Sequence, residues 1–301
     1  MRLFKRILLI LAVLIAAAYY WLLLDNRPGD AAAKPVTIAQ LRGLAEAMPG
    51  QKPTAVEVEQ VAYRRLPGNL FTAGTGLKRR LISVMVFRLP VPGGQPIMID
   101  SGVTAAASAE MGMEKFSPAA RGRADTQLRA ASLILLTHEH ADHQGGIVGL
   151  GDSKLLDKVR FTAGQLPGNR WTDMMTWPKG PVPKATIGST PLAVAPGVVA
   201  IPAPSHTPGS QMIFVRLADG REFLFAGDIA TLASSWIETR ARSRLVGDYL
   251  APEDRAEVFA WLKTIKALRQ ASPKLQVIAG HDFEWIDHAK DKRGVKVGFP
   301  Q

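Results

Sequence analysis

The stretch Thr137-His138-Glu139-His140-Ala141-Asp142-His143-Gln144-Gly145-Gly146 decides the fold. It places three of the chain's six histidines and two carboxylates, Glu139 and Asp142, within six positions, His138 to His143. The apolar run Leu133-Ile134-Leu135-Leu136 leads into it, and Gly145-Gly146 follow. That order predicts a strand delivering these side chains to a tight turn, with a helix starting beyond. Imidazole nitrogen and carboxylate oxygen suit a zinc-type ion. One such loop alone could also be a histidine-rich polar turn, so the rest of the chain must supply partners.

Working outward, apolar segments end at Asp100, His206, Asp228 and His281 as well as at His138. Loops beyond strand ends are where α/β folds build their sites. Leu81 to Leu89 and Pro96 to Asp100 read as strands, with helices expected over Thr104 to Met113 and Asp125 to Ala131. Val198 to Pro202 reads as a short buried strand. Met212 to Leu217 and Glu222 to Ala226, joined through Ala218-Asp219-Gly220, form a hairpin pattern. Pro252 to Arg269 is an amphipathic helix with Pro252 in its first turn, carrying Val258, Trp261, Leu262, Ile265 and Leu268 on one face. A last strand covers Leu275 to Ala279.

Composition bounds the chemistry. The chain has 301 residues, 47% of them apolar and 21% charged, which suits a globular protein with a large core. It has no cysteine, so thiolate metal sites, disulfides and cysteine nucleophiles are excluded. Any metal must sit on His, Asp or Glu.

Arg2, Lys5 and Arg6 precede an uncharged apolar run from Ile7 to Leu24. That run reaches the roughly 17–25 residues that cross a bilayer and exceeds the roughly 7–15 of a signal-peptide core. Tyr19, Tyr20 and Trp21 near its end suit the membrane interface. The reading is a transmembrane anchor over residues 1–24, with the basic start inside and the remainder on the periplasmic or extracellular side. Cleavage at Ala31-Ala32-Ala33 would instead give a secreted protein. Residues 25–53, rich in Pro and Gly, read as a linker with one short helix around Ile38 to Met48, and 54–301 as the folded domain.

Formal net charge is +11, from 37 basic and 26 acidic residues. Lys78-Arg79-Arg80 and Arg240, Arg242 and Arg244 are local clusters. They read as a solvated basic surface, or as one facing anionic lipid head groups. No nucleic-acid module accompanies them, so nucleic acid is not an expected partner.

Together, His138-x-His140-x-Asp142-His143, His206 in Ser-His-Thr-Pro-Gly, Asp228 in Ala-Gly-Asp and His281 in Gly-His-Asp resemble the metallo-β-lactamase superfamily. Ile99-Asp100-Ser101-Gly102 is similar to that family's first motif. The resemblance implies an α/β fold, a four-layer αββα sandwich, here with an N-terminal transmembrane helix. It implies two divalent cations, zinc before manganese or iron. His138, His140 and His206 would hold the first ion, Asp142, His143 and His281 the second, and Asp228 would bridge them. A hydroxide shared by the ions would be the nucleophile, Asp142 would carry the proton, and Asp100 would orient the loop rather than bind metal. Glu139 would point away, and His288 would be structural.

The substrate is less constrained. The penicillin-hydrolysing branch uses a cysteine where this chain has Asp228, which disfavours β-lactam cleavage. Gly280-His281-Asp282 is similar to the lactonase-like branch. Many of those enzymes carry a tyrosine three residues after the bridging aspartate; here Thr231 stands there, a shorter oxyanion donor. Trp171, Met174, Met175, Trp177 and Pro178 form either a local core or an apolar wall for a small-molecule substrate. The expectation is hydrolysis of an ester, lactone or thioester. The alternatives are a phosphodiester or phosphotriester hydrolase and a diiron-type oxidoreductase.

Overall fold

A computed structural model describes residues 1–288 and 294–300. Among them, thirteen strands follow in chain order: β1 (Val56–Pro67), β2 (Arg79–Leu89), β3 (Ile97–Ile99), β4 (Lys115–Phe116), β5 (Leu133–Leu135), β6 (Phe161–Thr162), β7 (Ala185–Ile187), β8 (Leu192–Ala195), β9 (Val198–Pro202), β10 (Gln211–Arg216), β11 (Glu222–Phe225), β12 (Gln276–Ile278) and β13 (Val295–Val297). One sheet runs β13-β1-β2-β3-β5, with β4 paired to β1; the second runs β12-β11-β10-β9-β8. β6 and β7 form a separate pair.

Three apolar clusters make this a four-layer αββα sandwich. Between the sheets, Val58, Phe87, Ile99 and Leu135 meet Ile213, Val215, Phe223 and Ile278. Outside the first sheet, Val84, Val86 and Ile134 pack against Ala124 and Leu128 of helix Pro118–Ala130. Outside the second, Val199, Ile201 and Phe214 pack against helix Arg255–Ala271. That helix buries Val258, Trp261, Leu262, Ile265 and Leu268 at helical spacing, each such aliphatic worth about 1.5–3 kcal/mol of burial.

Strand boundaries fall within a few residues of expectation, and the hairpin β10–β11 is antiparallel as expected. Two helices begin elsewhere than expected. Helix Pro118–Ala130 starts well before Asp125, because Ser117 caps it through Ala120 N at 3.2 Å and proline fits its first turn. The long C-terminal helix starts at Arg255 rather than at Pro252, because the Asp254 side chain accepts from Glu257 N at 3.0 Å. Pro252 and Glu253 stay outside it.

The segment expected to be a linker is packed onto the body. Helix Ile38–Glu46 buries Leu41 and Ala45 against the second sheet. Asp25 is buried, with its carboxylate 2.7 Å from Arg244. Preceding it, residues Arg2–Leu24 form one 23-residue helix, about 35 Å long at 1.5 Å per residue.

The sheet directions place the site. β3 and β5 are parallel neighbours, β11 and β12 are parallel, and β9 shares their direction because β10 is antiparallel to both β9 and β11. The loops after these five strands hold Asp100, His138, His206, Asp228 and His281, so they gather at one edge of the sandwich.

Candidate metal centre

The loop after β5 turns tightly enough to return His143 beside Asp100. His143 N bonds His140 O at 3.0 Å, and His143 O accepts from both Ser101 N and Ser101 Oγ, at 2.7 and 2.8 Å. The one-turn helix Gly145–Val148 follows. A Cβ at Gly146 would lie 1.9 Å from Ser101 O, so only glycine allows this approach. Asp100 itself has φ of 57°, a costly conformation for a residue other than glycine. Its carboxylate accepts from Thr137 N at 2.6 Å and contacts His143 Nδ1 at 2.8 Å.

The second sheet supplies the other side. His206, Asp228 and His281 are all buried. A Cβ at Gly280 would lie 2.1 Å from Asp228 Oδ1, so that glycine leaves room for the carboxylate.

Two clusters with metal-ligand geometry result. His138, His140, His206 and Asp228 form one; Asp142, His143 and His281 form the other, each with its ligand atoms within 4.8 Å of one another. Asp228 also reaches the second cluster, at 3.0 Å from His281 Nε2 and 3.6 Å from His143 Nε2.

Outer partners decide which ring nitrogen faces inward. His143 Nδ1 is held by Asp100, His281 Nδ1 by Ser83 O at 2.8 Å, and His206 Nδ1 by Glu253 Oε2 at 2.9 Å. Their Nε2 atoms are left to converge on the site. There His140 Nδ1 lies 3.0 Å from His138 Nε2 and 3.2 Å from His206 Nε2. One proton on His140 Nδ1 can serve only one of these two contacts, so the other sets lone pair against lone pair, which a cation between the rings would relieve.

The charges agree. Burial, with neighbouring positive charge, pushes His138, His140 and His206 well below the usual imidazole range. Burial works against the charge on His143 too, but Asp100, Asp142 and Asp228 outweigh it and lift that group to about 10. Burial disfavours a charged Asp228, yet His281, Arg242 and His143 hold it well below the usual carboxylate range. The donor set therefore fits divalent cations: neutral nitrogens at His138, His140 and His206, ionised oxygens at Asp142 and Asp228, and enough negative charge around His143 to favour a cation there.

Two residues at the site were not foreseen. Arg242, read with Arg240 and Arg244 as surface charge, is buried. Its guanidinium lies 2.5 Å from Asp228 Oδ2, 3.0 Å from His206 Nδ1 and 3.0 Å from Thr231 Oγ1. Arg240 pairs with Glu238, and Arg244 with Asp25 and Asp248. Glu253 is the other; burial raises its carboxyl to about 7, against the pull of Arg242 and Arg255.

The remaining expected residues divide. Trp171 stands edge-on to His140 with ring centres 4.3 Å apart, and with Met174 it lines a cavity of 440 Å³ over the site. Trp177 does not reach that cavity: its Nε1 donates to Thr172 O at 2.9 Å and its ring packs near Phe161. Thr231 is buried beneath the site and accepts from Arg242 rather than facing the cavity. Glu139 turns away and accepts from Thr207 Oγ1 at 2.6 Å and Gly209 N at 3.0 Å. His288 is exposed.

Comparison with solved structures finds the same architecture. An N-acyl homoserine lactone hydrolase with N-hexanoyl-L-homoserine bound at its catalytic metal centre superposes with a TM-score of 0.59 at 17% identity, over 79% of this chain and 96% of that one. A B. thuringiensis protein with N-decanoyl-L-homoserine at its active site gives 0.57 at 17%, over 79% and 96%. A probable metal-dependent hydrolase from Staphylococcus aureus gives 0.56 at 13%, over 78% and 91%. At these identities the likeness shows the fold. No curated protein sequence matches. The family model of the metallo-beta-lactamase superfamily matches residues 77–281, more than half of the chain and every residue of both clusters, and the chain belongs to that superfamily.

Proposed function

We propose that the chain is a membrane-anchored metallo-hydrolase that cleaves an ester, lactone or thioester of an apolar acyl group. His138, His140 and His206 would hold one divalent ion, Asp142, His143 and His281 a second, and Asp228 lies between them. Such ions polarise a carbonyl oxygen and bring the pKa of water near neutrality.

The chain's own groups supply the rest. Asp142, on the cavity wall, is ionised: burial opposes its charge, but His143 and His281 lower its carboxyl below the usual value. It can accept a proton and return it to the leaving oxygen or sulfur. Arg242 lines the same cavity and places a fixed positive charge near the carbonyl oxygen, where negative charge develops. Thr231, too deep to touch substrate, orients Arg242.

The observation that carries the ester reading over a phosphoryl one is the cavity wall. Beside the metal clusters it is mostly apolar, with Leu66, Leu70, Phe71, Ile82, Met113 and Trp171, and Arg64 and Arg242 are its cationic members. An acyl chain fits the apolar part of such a wall, which a compact phosphodiester would leave unfilled. The test is turnover of an acyl homoserine lactone, an acyl thioester and an aryl phosphotriester by protein of measured zinc, manganese and iron content. Hydrolysis of the carboxylic substrates supports the reading; turnover of the phosphotriester alone would replace it.

The helix Arg2–Leu24 is exposed from Arg2 to Trp21 and half-buried over Leu22 to Leu24. As a membrane anchor it would keep Arg2, Lys5 and Arg6 on the cytoplasmic side and the catalytic body on the other.

A further inference from the structure

The base of the N-terminal helix and the mouth of the cavity share a wall. No residue of Arg2–Tyr19 is buried, so this part stands off the body. Its end does not. Leu23 O accepts from Gly74 N at 3.1 Å, and the Arg244 guanidinium lies 4.0 Å over the Trp21 ring. Asp25 follows at once, buried, paired with Arg27 at 2.6 Å and Arg244 at 2.7 Å, its carbonyl accepting from Arg255 at 2.7 Å. Asn26 then bonds Thr239 O and Ala241 N, both at 3.1 Å. No free linker separates the helix from the body.

The short turn Gly68–Phe71 packs against both the helix end Tyr20–Leu24 and the wide helical turn Leu245–Leu250. Leu70, Phe71, Val246 and Leu250 from these segments line the cavity. Around that rim large apolar side chains face outward: Leu250 is 65% exposed, Tyr249 63% and Leu77 60%. Leu77 lies three residues beyond Gly74, at most about 11 Å of chain from the helix base, and exposed Lys78 and Arg79 follow it. Apolar side chains flanked by basic ones, fixed beside a span of bilayer length, match a lipid surface of acyl carbon and anionic head groups.

We propose that this rim rests on the bilayer and that the cavity draws its substrate from it, a membrane-resident amphiphile with a long acyl chain. The chain enters past Leu250 and along Leu66, Leu70 and Phe71, which brings its carbonyl to the metal end of the cavity. This inference rests on the helix being retained as an anchor and on the hydrolytic reading of the site.

Because the protein has no cysteine, single-cysteine variants can report depth without reference to turnover. Leu77→Cys, Tyr249→Cys and, as a reference, Lys274→Cys carry an environment-sensitive fluorophore on the full chain in nanodiscs of phosphatidylethanolamine and phosphatidylglycerol. Lys274 precedes β12, at the other end of that strand from His281. Brominated lipid should quench probes 77 and 249, and aqueous iodide should quench probe 274 several-fold more strongly. On the same discs, Leu77→Glu combined with Tyr249→Glu should lower the ratio of dodecanoyl to butanoyl thioester turnover about tenfold. Equal iodide quenching at all three positions overturns the membrane-facing rim even where the anchor holds. Protein released to the soluble fraction after loss of its leader overturns the anchor and the inference together. Absence of turnover of both thioesters overturns the hydrolytic reading and the substrate claim with it, while the probes still decide the membrane contact.

Discussion

His138, His140, Asp142 and His143 come from six consecutive positions on one turn of the first sheet. His206, Asp228 and His281 come from three separate loops of the second. The first group is braced locally: Asp100, from the neighbouring strand end, holds both Thr137 N and His143 Nδ1. The second is braced from afar by Arg242 and Glu253, which belong to the stretch between the short helix Ala233–Glu238 and the helix Arg255–Ala271. A compact motif can be oriented by one carboxylate, whereas dispersed groups need a separate device for each ring and oxygen.

Asp228 is where the two halves meet, so its loss should have the largest effect. Asp228→Ala removes the carboxylate near both clusters and leaves buried Arg242 without its anion. Metal content should fall from two ions per chain to one or fewer, with turnover down by about 10³-fold, equivalent to about 4 kcal/mol. The metal-free variant should also be less stable than metal-free wild type by about 3–5 kcal/mol, the range for breaking a buried pair. Elemental analysis and denaturant unfolding check both. Two ions per chain with unchanged turnover would remove Asp228 from the centre. Chelation of the wild type supplies the scale: at a hundredfold excess over Kd each ion contributes about 2.7 kcal/mol. Its removal should therefore lower Tm by roughly 5–10 °C.

The next comparison sets the braces against each other. Asp100→Ala frees His143 and the turn's entry at Thr137 N, so it should weaken binding of both ions by about 10–100-fold. Glu253→Ala releases His206 Nδ1 and a longer ion pair with Arg242 at 3.9 Å, and should weaken one ion, leaving the tighter step of a metal titration in place. Equal loss at both steps in both variants would mean that the halves are braced alike.

These braces also mark how far the residues could be read without the fold. The turn was legible because its ligands are adjacent and because short continuous apolar runs mark buried strands and show where they end. That is also why β9 and the β10–β11 hairpin fall close to where the pattern puts them. Asp100 was legible for the same reason, as a carboxylate at a strand end. Glu253 was not, since beside Pro252 it looks like an ordinary acid in a first helical turn; only the Asp254 cap, which starts the helix later, turns it inward. Arg242 was hidden by its neighbours. Alternate arginines look like a solvated face, and nothing local says that the middle one is buried against Asp228. Trp171 and Trp177 show the same limit, two similar residues six positions apart of which one reaches the cavity. The linker expected over 25–53 failed on composition alone, because its buried contacts at Asp25 and Leu41 are made with residues far along the chain.

Arg242→Lys sharpens the comparison on the dispersed side. Lysine keeps the charge but not the planar fork that meets Thr231, His206 and Asp228 together. Metal content should be unchanged, and kcat/KM for an acyl ester should fall about 10–100-fold, or about 1.4–2.7 kcal/mol. A fall in bound metal instead would make Arg242 part of the scaffold of the metal centre rather than a group that meets substrate.

Thr231→Val should give the smallest effect and tests whether that residue acts through Arg242. The two side chains match in volume, but valine cannot accept from Arg242 Nε, which lies 3.0 Å from Thr231 Oγ1. The buried N–H would lose its partner at a cost of about 1–3 kcal/mol in stability. Turnover should drop only a few-fold, because Asp228 still holds the other end of the guanidinium. Thr231→Ser restores the acceptor and should recover most of the rate. If serine leaves the rate at the valine level, Thr231 acts by packing its methyl group, and the dispersed half is braced by one fewer hydrogen bond than its geometry suggests.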